Sequence, residues 1–217
     1  MSELNLILLG PPGAGKGTQA KNLTDDFSLP YLATGDMMRA KRKEDSELGR
    51  QVAAIMDAGG LVDDQVVCKV LLERIEAEGD DGFPRKGSQA DILDRALDER
   101  GRSITAVILI DVPDEVLVQR LAGRRQCEKG HVYHVDLNPP QQEGVCDVDG
   151  LPLEQRRDDE PEVIRNRLEV YHAETEPLVE RYDDAGLLQR FDGTQDPEVV
   201  HRHIRNTLTT LKLEERL

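Results

Sequence analysis

The sequence predicts an α/β fold, a parallel sheet flanked by helices, and two apolar runs carry most of that prediction. Leu6 to Leu9 reads as a strand buried on both faces, broken at Gly10 by a glycine-rich turn that leads straight into a helix. Ile104 to Ile110, ITAVILI, is the clearest strand after it. Strands alternate with helices over the remainder, the pattern of a sheet whose ligands bind beyond the carboxyl ends of its strands.

Taken in order, the first strand ends in GPPGAGKGT at 10–18. Gly10, Gly13, Gly15 and Gly17 have no Cβ, so the backbone can curl and aim successive amide hydrogens at phosphate oxygens. The helix from Lys16 to about Asp26 turns its positive end toward the same anion. Lys16 adds a full charge at the β and γ phosphates and Thr18 a hydroxyl for magnesium, although Gly17 stands where the strict pattern has Ser or Thr. Tyr31 to Ala33 makes a short strand, and Thr34-Gly35-Asp36 a turn into a helix; this turn is a plain helix cap, or else it sets Thr34 and Arg39 where an anion is held. Ser46 to Ala58 is an amphipathic helix with Leu48, Val52, Ile55 and Met56 on one face, ended by Gly59-Gly60. Leu61 and Val62 follow, as core contacts or as a platform for a planar base.

Asp63 to about Glu78 is helical by the spacing of Val66, Val67, Val70, Leu71 and Ile75, and residues 87–100 are helical again. Pro113 opens a helix toward Arg125. From Gln126 to Arg157 the composition changes to Cys, His, Pro, Gly and Asp with little periodicity, the mark of an inserted, loop-rich module. A long helix spans Pro161 to Tyr182, broken or bent near Pro177. Leu187 to Phe191 is a last short strand, and a helix runs from Pro197 to a fraying end.

A chain of 217 residues can bury one core, with a small insertion. Its 43 acidic against 28 basic residues, net −15, argue against a nucleic-acid groove, which needs clustered Lys and Arg. The N-terminus runs directly into a strand without a secretory apolar region, and no later run approaches membrane-spanning length; a cytoplasmic protein is expected. Cys68, Cys127 and Cys146 are an odd number, which argues against a disulfide framework and leaves two of them open to metal.

With these residues assembled, the chain resembles the adenylate kinases of the long-lid type, nucleoside monophosphate kinases with the P-loop fold. The resemblance rests on GPPGAGKGT at 10–18, TGDMMR at 34–39, DGFPR at 81–85 with Gln89, and RLAGRR at 120–125. It continues in VYHVDLNPP at 132–140, RRDDEPEVIRNRL at 156–168 and DGT at 192–194. The family's loop also carries GKGT, which accounts for Gly17. The resemblance implies a core of 1–33, 63–125 and 158–217, an AMP-binding insertion at 34–62, and a lid at 126–157 that closes over ATP and excludes water.

The reaction so implied is MgATP and AMP to two ADP, catalysed by a monomer. Phosphoryl transfer spreads negative charge over equatorial oxygens, so positioned cations matter more than a nucleophile of the protein's own. By the resemblance those cations are Lys16, Arg85, Arg120, Arg124, Arg156 and Arg167, arginine's planar fork giving two parallel hydrogen bonds to phosphate. ATP falls to Gly13, Ala14, Gly15, Lys16, Gly17, Thr18, Arg120, Arg124, Val132, Tyr133 and Gln195. AMP falls to Thr34, Arg39, Gly60, Leu61, Val62, Gly82, Arg85, Gln89, Arg156 and Arg167. Asp81 would hold magnesium through water, and Asp158 and Asp159 would orient the lid arginines. Any one of these arginines alone reads as a solvated surface residue; the case lies in their joint fit.

Within the lid, Cys127, His131, Cys146 and Asp149 could ligate a structural zinc, the second pair having the two-residue gap usual in such sites. Only three residues separate Cys127 from His131, however, where zinc-bearing relatives have a second cysteine near Gly130 or a more distant histidine. His134 is a rival ligand, and a lid held by hydrogen bonds with two buried free cysteines is the alternative.

The chain departs from the family before DGFPR, where an apolar central strand is expected and EAEGDD at 76–81 stands instead. A five-residue strand climbs roughly 16 Å at about 3.3 Å per residue, more than Gly79 to Asp81 can cover. Either polar residues such as Arg74 to Glu78 fill a central strand at a large desolvation cost, or the sheet loses a strand and Asp81 and Arg85 are displaced. Weak or absent activity is the expectation. Two other readings stay open: a kinase of UMP, CMP or another donor such as GTP, against which the 126–157 module argues, and an inactive nucleotide- or zinc-binding homologue, which the shortened segment favours.

Overall fold

The computed structural model describes residues 4–28, 38–39, 41–43, 45–62, 84–98 and 101–214. In chain order its elements are β1 (Leu6–Leu9), α1 (Lys16–Phe27), α2 (Glu47–Asp57), α3 (Gly87–Asp98), β2 (Ala106–Asp111), α4 (Asp114–Gly123), β3 (Arg124–Gln126), β4 (Val132–His134), α5 (Pro161–Val170), α6 (Pro177–Asp184), β5 (Leu188–Asp192) and α7 (Pro197–Glu214). The expectations for the strand at 31–33, the helix at 63–78, Cys68 and the shortened segment before Asp81 lie outside the described residues.

β1, β2 and β5 form a parallel sheet in that spatial order, with Leu8 opposite Ile108 and Ile108 opposite Gln189. Leu8, Ile108 and Ile110 pack with Leu23 of α1, Leu117 and Leu121 of α4, Ile164 of α5, and Ile204 and Leu208 of α7. Ile7, Leu9, Val107 and Leu109 turn the other way, onto Ala90 of α3 and Leu178 and Tyr182 of α6. Helices on both faces are why successive residues of these strands are apolar, where a one-sided sheet would alternate. Among the described residues no helix is long and apolar enough to cross a membrane.

The structure departs from the sequence reading in two places. First, α4 stops at Gly123, short of Arg125. Second, the 126–157 module is not loop alone: β3 and β4 pair antiparallel, Arg124 opposite His134 and Gln126 opposite Val132, so its small sheet starts two residues before the expected boundary. Reciprocal bonds between Gln126 and Glu154 close the module's base, at 2.9 and 3.0 Å. Three-residue strands are too short for a period of two to register.

The long helix is interrupted just before Pro177, where the sequence reading has it broken or bent. Tyr171–Thr175 forms a π-helical turn in which Glu176 N–H reaches back five residues to the Tyr171 carbonyl, 2.9 Å. Pro177 then opens α6. In a continuous α-helix the Pro177 ring would meet the Ala173 carbonyl; the wider turn avoids that clash and leaves the proline at a helix start.

His172 ties this turn to α4: Nε2 lies 3.0 Å from Asp114 Oδ2 and Nδ1 3.0 Å from Glu176 Oε2. The bond to Glu176, then that to Asp114, raises its pKa. A raised folded-state pKa gives stability that is fully present below the unfolded value of about 6.5 and is lost as pH rises through the folded one. The pairs are exposed and screened, so His172→Gln is expected to cost about 0.5 kcal/mol at pH 6 and almost nothing at pH 9, read by urea denaturation at the two pH values.

Candidate functional site

The loop after β1 curls as the glycines require, with φ of +144° at Gly10, +85° at Gly13 and +98° at Gly15. A Cβ on Gly10 would stand 2.6 Å from the Ile110 carbonyl, and one on Gly13 2.9 Å from Leu121 Cγ, so the loop is seated on β2 and α4. Gly15 caps α1 in the left-handed region with no side-chain acceptor for the first-turn amides, and no acidic residue occupies that turn. Those N–H groups are therefore placed where an external anion could meet them, with the positive helix end behind. Lys16 Nζ lies over the loop, 2.7 Å from the Gly10 carbonyl and 3.0 Å from that of Pro11. Gly17 and Thr18 are exposed at the mouth.

A cleft of about 1070 Å³, counted with its solvent-open mouth, runs from this loop across the carboxyl end of the sheet. Its walls include Lys16, Arg39, Gly60, Leu61, Val62, Arg85, Gln89, Asp158 and Arg167. Arg124 and Arg156 complete the ring of charge, each acting on the groups around Asp158. Asp159, with no exposed surface, takes Arg124 Nε at 2.8 Å and Arg167 Nη1 at 3.3 Å; Asp158 takes Arg167 Nη1 at 3.1 Å. Arg156 Nε donates to Gln126 Oε1.

Burial first, then the like charges of Arg124 and Arg39, pulls Arg156 below its ordinary pKa. Burial lowers Arg167 too, partly offset by Asp158. For Asp158, burial alone would raise the carboxyl, but Arg167, Arg124 and Arg156 more than reverse it. Guanidinium gives up its proton only with difficulty, so the crowding expresses itself as affinity for an anion.

Other expected residues lie apart from this cleft. Arg120 sits near Asp192, whose carboxylate accepts Thr194 N–H at 2.9 Å and Gln195 Nε2 at 3.2 Å. Val132 is half exposed, whereas the Tyr133 ring is buried inside the module and its hydroxyl accepts from Asp147 N–H at 2.9 Å. Thr34, Gly82 and Asp81 lie outside the described residues. Sequence reasoning missed Met38, Met56, Tyr171 and Thr175, all in the cleft wall. The two methionines were visible as apolar helix positions, but the last two depend on a π-turn whose only local sign is Pro177.

The four candidate metal ligands converge, their donor atoms all within 4.8 Å of one another. Cys127 Sγ is 3.3 Å from both His131 Nδ1 and Asp149 Oδ2, and Cys146 Sγ is 3.5 Å from His131 Nδ1. A zinc tetrahedron with bonds of about 2.0–2.3 Å has edges of roughly 3.3–3.8 Å, so this donor set fits. The short Cys127 to His131 spacing works because a turn closed by Gly130 N–H to the Cys127 carbonyl folds the histidine back. Burial raises the Cys127 thiol, while the hydrogen bond from Cys146 pulls the Asp149 carboxyl below the usual range. Leu151 N–H holds the other Asp149 oxygen at 3.0 Å, and the Tyr133 hydroxyl lies 3.6 Å from Cys146 Sγ, an outer layer that orients the ligands. His134 is removed as a rival: its Nδ1 accepts from Asp136 and Leu137 N–H and its Nε2 faces the Gln119 carbonyl at 3.3 Å.

An amide-lined loop at the end of a parallel strand, with guanidinium groups across a cleft from it, defines a phosphate-loop nucleotide-binding protein. The chain belongs to the adenylate kinase family, whose model, described as "Adenylate kinase", matches residues 8–187. It is similar to the adenylate kinase of Methanosarcina mazei, 44% identical over 211 residues covering 94% of this chain and 98% of the relative. That of Oceanobacillus iheyensis is 46% identical over 212 residues, with 94% and 99% covered. That of Staphylococcus aureus is 44% identical over 215 residues, which take in all of the relative but 96% of this chain's 217 residues, so the relative has a few positions with no counterpart here.

Gly13→Ala forces a side chain into a positive φ and against Leu121, and is expected to lower stability by about 1–2 kcal/mol and weaken ATP binding together. A thermal melt and a nucleotide titration on the same variant check both.

Proposed function

We propose that the chain transfers a phosphoryl group from MgATP to AMP, giving two ADP, and that nucleotides are its only required partners. The observation that carries this reading is the convergence of Lys16, Arg39, Arg85 and Arg167 on one cleft, with Arg124 and Arg156 close enough to perturb its charges. Phosphoryl transfer asks for this: the nucleophile is a phosphate oxygen of AMP, and the protein's task is alignment and charge compensation. The loop amides and Lys16 hold the ATP phosphates. Arg39 and Arg85 grip the AMP phosphate from the opposite side, while Leu61, Val62 and Gln89 offer a partly apolar wall to its base. Arg124, Arg156 and Arg167 meet the equatorial oxygens of the group in transit.

Thr18 and Asp81 would hold the magnesium that comes with ATP, which would supply positive charge against the phosphates. Cys127, His131, Cys146 and Asp149 hold a structural zinc that knits the 126–157 module, the lid over ATP. Arg120 and Gln195, gathered at Asp192, and the Val132–Tyr133 backbone flank the ATP base. Cys127 and Cys146 form no disulfide, which suits a reducing compartment, and the reading makes this a cytoplasmic protein that acts as a monomer.

The segment before Asp81 is the feature expected to limit the rate. Because it leaves either a polar central strand or a missing one, turnover is expected below the order of ten per second usual for enzymes, and inserting five apolar residues ahead of Asp81 is expected to raise it. A coupled assay over AMP, UMP and CMP tests the whole reading. ADP formed with AMP in preference to the pyrimidines, and lost by at least about 100-fold in Arg156→Ala, is expected. ADP formation that survives Arg156→Ala undiminished, or a pyrimidine preference, overturns it.

For the metal, Cys146→Ser is expected to lose one zinc per chain by atomic emission and to lower the melting temperature, with AMP affinity nearly unchanged. Equal zinc content in both proteins would exclude the cluster.

A further inference from the structure

Arg85 stands just ahead of α3, and its main chain is fastened on both sides. Its N–H donates to Gln89 Oε1 at 2.8 Å, and its carbonyl accepts from Thr175 Oγ1 at 2.9 Å. Both partners are buried, Gln89 at 2% exposure and Thr175 at 6%. Gln89 is local, but Thr175 comes from the π-turn 90 residues further along the chain. A threonine within a helix ordinarily turns its hydroxyl back to the carbonyl one turn earlier, as Thr207, Thr209 and Thr210 of α7 all do. Thr175 does not, because the extra residue of the π-turn rephases the helix and aims its hydroxyl across the gap at Arg85. The same two segments meet again where Lys86 Nζ lies 3.9 Å from Glu174 Oε2, and His172 braces the turn against Asp114 from behind.

We propose that Thr175 is a positioning residue for the phosphate acceptor: by holding the Arg85 carbonyl it fixes the origin from which the Arg85 guanidinium reaches into the cleft. The proposal deepens the reading given above and rests on Arg85 gripping the AMP phosphate. It explains why a rare, wide turn sits at the cleft wall: a regular helix would point Thr175 elsewhere and take this donor from the Arg85 carbonyl.

Thr175→Val keeps the shape and removes the donor, Thr175→Ser keeps the donor, and Arg85→Ala removes the group being positioned. Affinities for AMP and for ATP are measured separately by calorimetry on the full chain, so that the result does not depend on turnover, with a thermal melt of each variant. Thr175→Val is expected to weaken AMP about five-fold, roughly the net worth of one hydrogen bond, to leave ATP within two-fold, and to be rescued by Thr175→Ser. Equal losses for both nucleotides, or a lowered melting temperature with AMP affinity intact, would show a merely structural hydroxyl and overturn the proposal. If Arg85→Ala weakens AMP and Thr175→Val does not, the proposal fails while the reading of Arg85 stands; if Arg85→Ala leaves AMP untouched, that reading fails and takes the proposal with it.

Discussion

Two buried carboxylates, Asp158 and Asp159, keep guanidinium groups closer together than like charges settle by themselves. Asp159 has no exposed surface and binds both Arg124 and Arg167; Asp158 takes a second bond from Arg167. Removing either acid would strand buried cations, and removing the cations would strand buried acids. What remains after this internal pairing is an excess of positive charge, felt by Arg156, whose guanidinium donates to the neutral Gln126 oxygen. A polyphosphate resolves that excess, which makes the unliganded arrangement a store of attraction for the ligand.

The sheet supplies the other half of the arrangement. β1 and β2 are buried on both faces, and their carboxyl ends deliver the loop at Gly10 and the turn at Asp111 to one rim. Leu121, fully buried in α4, touches the space where a side chain on Gly13 would stand. Core packing and anion binding therefore meet in one contact: the residue that fills the hydrophobic interior also sets the height of the amides that meet phosphate.

Much of this was legible along the chain because it depends on neighbours in sequence. The loop needs glycine where φ is positive, and Gly10, Gly13 and Gly15 stand there; the strands buried on two faces are apolar at every step; the arginines fall into ordered motifs. The unreadable parts were decided by tertiary contacts. Nothing local tells that the Tyr133 ring turns inward beneath Cys146, that both His134 nitrogens are taken up by a turn and by Gln119, or that β3 begins at Arg124. The helix expected through Tyr182 kept its overall course, yet the π-turn ahead of Pro177 changed which side chains reach the cleft. The oddly spaced Cys127 and His131 became a plausible ligand pair only once the turn at Gly130 had brought them together.

The base of the 126–157 module has a mechanical consequence. Its two chain crossings are joined by the reciprocal Gln126 and Glu154 bonds, and Arg124 and Arg156 lie within two residues of that junction. Were the module to swing about that junction, the two arginines would lie close to the pivot. Leu137 and Val148 stand exposed on the same module, so in such a swing the cations at the junction would be displaced less than any part of the module further from it.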